Sequence, residues 1–145
     1  MEEDELPDDI YEQVTEHSEK GNVLLQSGDN QGAIDEWETG LKLLPEPKNK
    51  WEAAMWFYAS LGEGYRNLGQ TEASLSAFTS AYASADGHQN GFVLHGRGVA
   101  LFDLGRTEEA AKYLLQAYIL EGEMMFEEDA SPAYFQLLKD KKYID

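Results

Sequence analysis

The chain has 145 residues, 42% of them hydrophobic, a formal net charge of −17 and no cysteine, a length and composition that fit one packed domain. The missing cysteines exclude disulfides, thiolate zinc sites and a cysteine nucleophile, and the negative field disfavours nucleic acid and anionic lipid while favouring encounter with a basic partner. No apolar run approaches the ~18 residues that cross a bilayer, and the first residues are acidic where a secretory leader is basic and then apolar, so a cytoplasmic protein is expected.

Residues 1–6 read as a frayed acidic tail, the start of a stretch, 1–19, that holds nine acids and no lysine or arginine. Pro7 suits a first helical turn, Asp8 and Asp9 favour the positive helix end, and a long helix is expected over about 8–27. Gly28 closes it, Asn30 is placed to cap a second helix, and Pro45 and Pro47 stop that helix after about Leu44. The same order then recurs. A helix over about 49–68 ends at Leu68-Gly69 and another starts with Thr71 as cap; one over about 89–104 ends at Leu104-Gly105 and another starts with Thr107 as cap. Ser131-Pro132 opens a last helix, about 132–142, finishing in Lys139, Lys141 and Lys142 at its negative end. No period-two run competes, so the class is all-α.

Small and bulky residues return in fixed order: Gly21, Gly28, Ala33, Trp37, Gly40; then Gly62, Gly69, Ser74, Phe78, Ala81; then Gly98, Gly105, Ala110, Leu114, Ala117. Each first glycine stands two helical turns before its turn glycine, where a missing side chain lets the second helix approach; the bulky residue fills the space between helices. This order resembles the tetratricopeptide repeats, helix-turn-helix units of about 34 residues. On that pattern the repeats span about 14–47, 55–88 and 91–124, with Leu24, Pro45, Tyr58, Leu61, Tyr65, Leu94 and Leu101 at further signature positions. The resemblance implies an α-solenoid of three repeats, with an extended N-terminal helix and a C-terminal capping helix. About seven extra residues near 48–54 and two near 89–90 interrupt the period and are expected to lengthen the helices that follow.

The family also implies a right-handed superhelix whose concave groove, lined by the first helix of each repeat, holds a peptide or helix of a protein partner. Carried over by position, repeat one offers Thr15, Ser18, Glu19, Asn22 and Gln26; repeat two Trp56, Ser60, Glu63, Arg66 and Asn67; repeat three Phe92, His95, Val99, Phe102 and Asp103. Trp56, Phe92 and Phe102 read as apolar anchors in a channel made acidic by Glu19, Glu63 and Asp103, a match for a basic, apolar partner. The alternative is that one or more of these aromatics pack beneath a terminal helix. The basic clamp with which chaperone adaptors of this family hold a C-terminal carboxylate is missing: Asn22, Arg66 and Arg97 stand scattered among acids.

Nothing in the chain points to catalysis. His17, His88 and His95 form no ligand motif, no glycine loop is left to cradle a phosphate, and no metal or other cofactor is expected. The segment Gly122–Asp129 with Ser131–Lys139 resembles the tail of small bacterial repeat proteins that act as immunity proteins of polymorphic toxins, which implies an acidic inhibitor of a basic toxin. Solenoid capping by Tyr134, Phe135, Leu137 and Leu138 accounts for the same residues. A general scaffold or adaptor is the alternative function.

Overall fold

The computed structural model describes residues 5–145, so the part of the acidic tail at 1–4 lies outside the described residues. Among the described residues seven α-helices follow one another: α1 (Asp8–Gln26), α2 (Asn30–Lys42), α3 (Glu52–Asn67), α4 (Thr71–Tyr82), α5 (Gly91–Asp103), α6 (Thr107–Glu121) and α7 (Ala133–Asp140). They pack as three hairpins, α1 with α2, α3 with α4 and α5 with α6, and each hairpin leans on the next through α2 on α3 and α4 on α5. First helices also touch one another, α1 with α3 and α3 with α5, whereas α2, α4 and α6 make no comparable contact among themselves. The first helices therefore line the inner side of a curved array.

The small-to-large spacing acts within each hairpin. A Cβ on Gly62 would come 2.5 Å from Phe78 Cε2 and one on Gly98 would come 2.6 Å from Leu114 Cγ, so the bulky residue of the second helix lies flat against the glycine of the first. Gly21 meets Trp37 in the same way. Ser74, the polar substitute at the small position of repeat two, is fully buried, and its hydroxyl donates to the Gly62 carbonyl at 2.8 Å. That bond removes the cost of burying the hydroxyl. Between the helices of each hairpin stand Gly28, Gly69 and Gly105, all with positive φ, a backbone that side-chain-bearing residues rarely adopt.

Three local expectations need correction. The cap of α2 is Asp29 and not Asn30: its carboxylate accepts from Gly32 N at 2.9 Å, and its carbonyl already accepts from Ala33 N. Thr71 and Thr107 are first helical residues rather than caps, because the preceding carbonyls of Gln70 and Arg106 take the first helical bonds, from Ser74 N and Ala110 N. The insertion near 48–54 does not extend α3 back to 49. Residues Lys48–Lys50 form a 3-10 turn and Trp51 is extended, its indole buried and donating to Pro45 O at 2.8 Å, while Lys48 Nζ donates to Leu44 O at 2.8 Å beyond the end of α2. The second insertion likewise forms a separate 3-10 turn, Gly87–Gln89, and Asn90 then caps α5 by accepting from Val93 N. At the first insertion the Lys48 and Trp51 side chains satisfy carbonyls beyond the end of α2, and at the second Asn90 satisfies a free N–H at the start of α5.

Candidate functional site

The inner face divides into two halves of different character. In the first, α1 and α3 border a cleft of about 330 Å³ lined by Tyr11, Val14, Ser18, Glu19, Trp56 and Phe57, among others. Trp56 is 47% exposed, whereas Trp37 and Trp51 are buried. A large apolar ring held on a rigid helix and left in water is the residue type that anchors interfaces. Glu19, which lines the same cleft, and Asn22 are exposed on α1, and Glu63 and Arg66 are half-buried on α3. Asn67 is exposed but already engaged, donating to Asn30 Oδ1 at 3.1 Å.

The second half is filled by the chain itself. After α6, Gly122 turns the backbone into a 3-10 turn, Glu123–Phe126, and the following residues run along α5 before α7. Phe126 packs edge-on against His95, with ring centres 5.2 Å apart. His95, only 6% exposed, places Nε2 2.9 and 3.0 Å from the two carboxylate oxygens of Asp129. Further along α5, Phe102 meets Tyr134 edge-on at 5.1 Å, and the Tyr134 hydroxyl donates to Asp103 Oδ1 at 2.7 Å. Val99 joins Phe126 and Leu138 in one buried cluster.

Four sequence-derived assignments change. Phe102 is an aromatic platform for Tyr134 and not an open anchor. His95 gives Nε2 to Asp129, and Asp103, still exposed, accepts from Tyr134 through Oδ1. Phe92 turns toward the core, edge-on to Phe78 at 5.9 Å. Of the three proposed aromatic anchors, Trp56 stands open. Tyr11, 60% exposed and lining the same cleft, was missed because it precedes the first repeat and no signature position marks it. Arg97 belongs elsewhere, its guanidinium stacked 4.6 and 4.3 Å from the Tyr82 and Tyr113 rings.

Burial pushes the His95 imidazole below its ordinary pKa of 6.5, against the opposing pull of the Asp129 carboxylate. The folded state therefore binds that proton less readily than the unfolded chain. This contribution to stability is complete above pH 6.5 and falls as the pH drops below it. Denaturant midpoints measured between about pH 7.5 and 5 should decline, and His95→Gln should flatten that part of the decline; a parallel slope in the variant would contradict the assignment. Tyr134, half-buried and facing the Asp103 carboxylate, is pushed up to about 12 by partial burial and by that hydrogen bond and charge, and stays a donor throughout.

Among the described residues no three His, Asp or Glu side chains gather to hold a metal ion, and no helix is long and apolar enough to cross a membrane. His88 lies beside Gln89 and His17 pairs with Glu36 at 2.8 Å, so the histidines are dispersed.

Residues 93–120 match the family model of the tetratricopeptide repeat. The first TPR domain of Spaghetti (RPAP3), bound to the HSP90 peptide SRMEEVD, superposes with a TM-score of 0.71 at 21% identity, over 90% of this chain and 97% of that one. The fold is a tetratricopeptide-repeat solenoid. The Arabidopsis OM64 TPR domain gives a TM-score of 0.71 at 20% identity, covering 93% and 99% of the two chains. The second TPR domain of human RPAP3, in complex with the HSP70 peptide SGPTIEEVD, gives 0.70 at 17% identity, covering 92% and 98%. No curated protein matches the chain in sequence. Within this repeat fold, Phe126, Asp129 and Tyr134 cover the inner face of α5.

Proposed function

We propose that this tetratricopeptide-repeat domain is a protein-binding scaffold or adaptor that takes a basic, apolar segment of a partner into the open half of its groove, between α1 and α3. The observation that carries this reading is Trp56, an exposed indole in a preformed cleft with Glu19 at its edge. The indole supplies an apolar anchor and the carboxylates supply a field that draws cations. The peptides named with the RPAP3 domains end in acidic EEVD. Glu19 and Glu63 oppose such a charge, and Arg66 is the one lysine or arginine among the groove candidates.

Neutralisation of a basic toxin is a special case of this reading. The segment on which it rests, residues 122–139, is accounted for by its packing over α5 and α6, which calls for no toxin. The adaptor reading is therefore preferred.

Selection from a random peptide library is expected to return sequences with Lys or Arg beside an aromatic or Leu. Trp56→Ala should weaken the selected peptide by about 30-fold, the equivalent of ~2 kcal/mol, with an unchanged circular dichroism spectrum. Association should slow as salt is raised from low ionic strength. Selection of acidic C-terminal peptides, or equal affinity in the Trp56→Ala protein, would show the reading to be wrong.

A further inference from the structure

The cleft beside Trp56 is not the end of the open surface on α1. Further along the helix lies a second cleft of about 540 Å³, lined by Glu16, Glu19, Lys20, Val23 and Leu24 with Glu36 of α2. Glu19 lines both clefts, so the two meet at one side chain. Helical geometry agrees. Thr15 in the first cleft, Glu19 in both and Val23 in the second stand at i, i+4 and i+8, successive positions on one stripe of α1.

The far end of the stripe is apolar and open to solvent: Val23 is 65% exposed, and Leu24 beside it is half-buried. The charged groups between the two ends are not equivalent. Lys20 pairs with Glu16 at 3.0 Å, and Glu36 pairs with His17 at 2.8 Å. Of the charged residues lining the second cleft, Glu19 alone has no ion pair or hydrogen bond among the described residues. The helix as a whole carries Asp8, Asp9, Glu12, Glu16 and Glu19 against Lys20, so its field is negative. A second copy would bring these acids together, whereas a cation flanked by apolar groups meets both the unpaired carboxylate and the surfaces on either side of it.

The spacing selects the shape of such a ligand. Neighbouring positions on the stripe are four residues apart, about 6 Å along the helix axis. In an extended chain alternate side chains point the same way, and two residues advance about 6.6 Å. The two repeats therefore stay in step over the three positions.

We infer that an extended segment of the partner lies along this stripe with apolar, basic and apolar side chains at alternate positions: the first beside Trp56, the Lys or Arg on Glu19, and the last on Val23 and Leu24. The binding mode rests on the proposed use of the Trp56 cleft and adds to it a spacing and a second apolar subsite.

Three end-blocked peptides test it by titration of the full chain: Ser-Phe-Ser-Lys-Ser-Leu-Ser; its isomer Ser-Phe-Lys-Ser-Ser-Leu-Ser, in which only the lysine moves; and Ser-Phe-Ser-Lys-Ser-Ser-Ser, which lacks the second apolar group. The first should bind at least about fivefold tighter than either of the others, with amide shifts reaching from residue 15 to residue 24. Val23→Ser changes an exposed side chain and should keep the urea midpoint; it should weaken the first peptide about fivefold and leave the third unchanged, the coupling expected of direct contact. Glu19→Gln should remove the advantage of the first peptide over its isomer, and Trp56→Ala should weaken all three. Equal binding of the isomer, or a first peptide indifferent to Val23→Ser but still weakened by Trp56→Ala, would overturn the extended mode and leave the Trp56 cleft standing. Indifference of all three peptides to Trp56→Ala would overturn the use of that cleft itself, and this mode with it. A dimer in sedimentation that Val23→Ser disperses would make the occupant a second copy and overturn the inference as well.

Discussion

Phe78→Ala is expected to cost about 3–5 kcal/mol, the range for emptying a buried aromatic site. Phe78 is 1% exposed and sits at the junction of two repeats, facing Gly62 of α3 on one side and Gly96 of α5 on the other. Large-to-small changes are least damaging where neighbouring side chains can relax into the space. Here two of the walls are glycines, which have no side chain to move into the space, so relaxation is left to Met55, Val93 and Phe92. The ring also meets Phe92 edge-on at 5.9 Å, an aromatic pairing that alanine cannot make. In a solenoid each repeat is stabilised by its interface with the next, and this residue holds that interface between repeats two and three. The urea midpoint should fall strongly, and Phe78→Leu should recover part of the stability. A cost under ~1 kcal/mol would mean that the hairpins can close over the missing ring.

Leu138→Ala should act more locally, with a cost of about 2–5 kcal/mol concentrated on the C-terminal segment. Leu138 is fully buried, in one cluster with Val99, Leu114 and Phe126, and it pins α7 onto α5 and α6. Around it the attachments are more exposed: Lys141 pairs with Glu108, and Tyr134 donates to Asp103. A solvent-exposed ion pair such as Lys141–Glu108 holds little by itself. Loosening Leu138 should therefore release residues 127–140 as a unit and bring His95 and Phe102 into contact with water. Hydrogen exchange should accelerate over α7 and the second half of α5 while α1 to α4 keep their protection. Uniform acceleration across the chain would mean that the cap is part of a single cooperative core.

Much of the fold is legible in the residue order. Gly21 and Trp37, Gly62 and Phe78, and Gly98 and Leu114 are each 16 residues apart, and each pair closes one hairpin. The turn glycines and the proline stops mark helix boundaries that hold to within a few residues except for the start of α3, because the signals sit next to the backbone they terminate. Where two candidate caps adjoin, as at Asp29 and Asn30, composition does not choose; the choice falls to whichever carbonyl accepts the first helical bond. At 48–51 the helical pattern extends too far, since Trp51 finds a carbonyl partner at Pro45 that only the folded turn supplies.

The site is legible to a smaller extent. Position in the repeat correctly places side chains on the first helices, but it says nothing of what later covers them. Phe92, His95 and Phe102 are candidates by the same rule as Trp56, and they differ from it through partners located elsewhere in the chain. The sequence by itself determined the hairpins, since their contacts are short in range and repeat three times, so that each copy supports the reading of the others. Only the tertiary structure decided which half of the groove stays open. That outcome rests on single contacts such as His95 with Asp129 and Asp103 with Tyr134, separated by 34 and 31 residues, which no local period encodes.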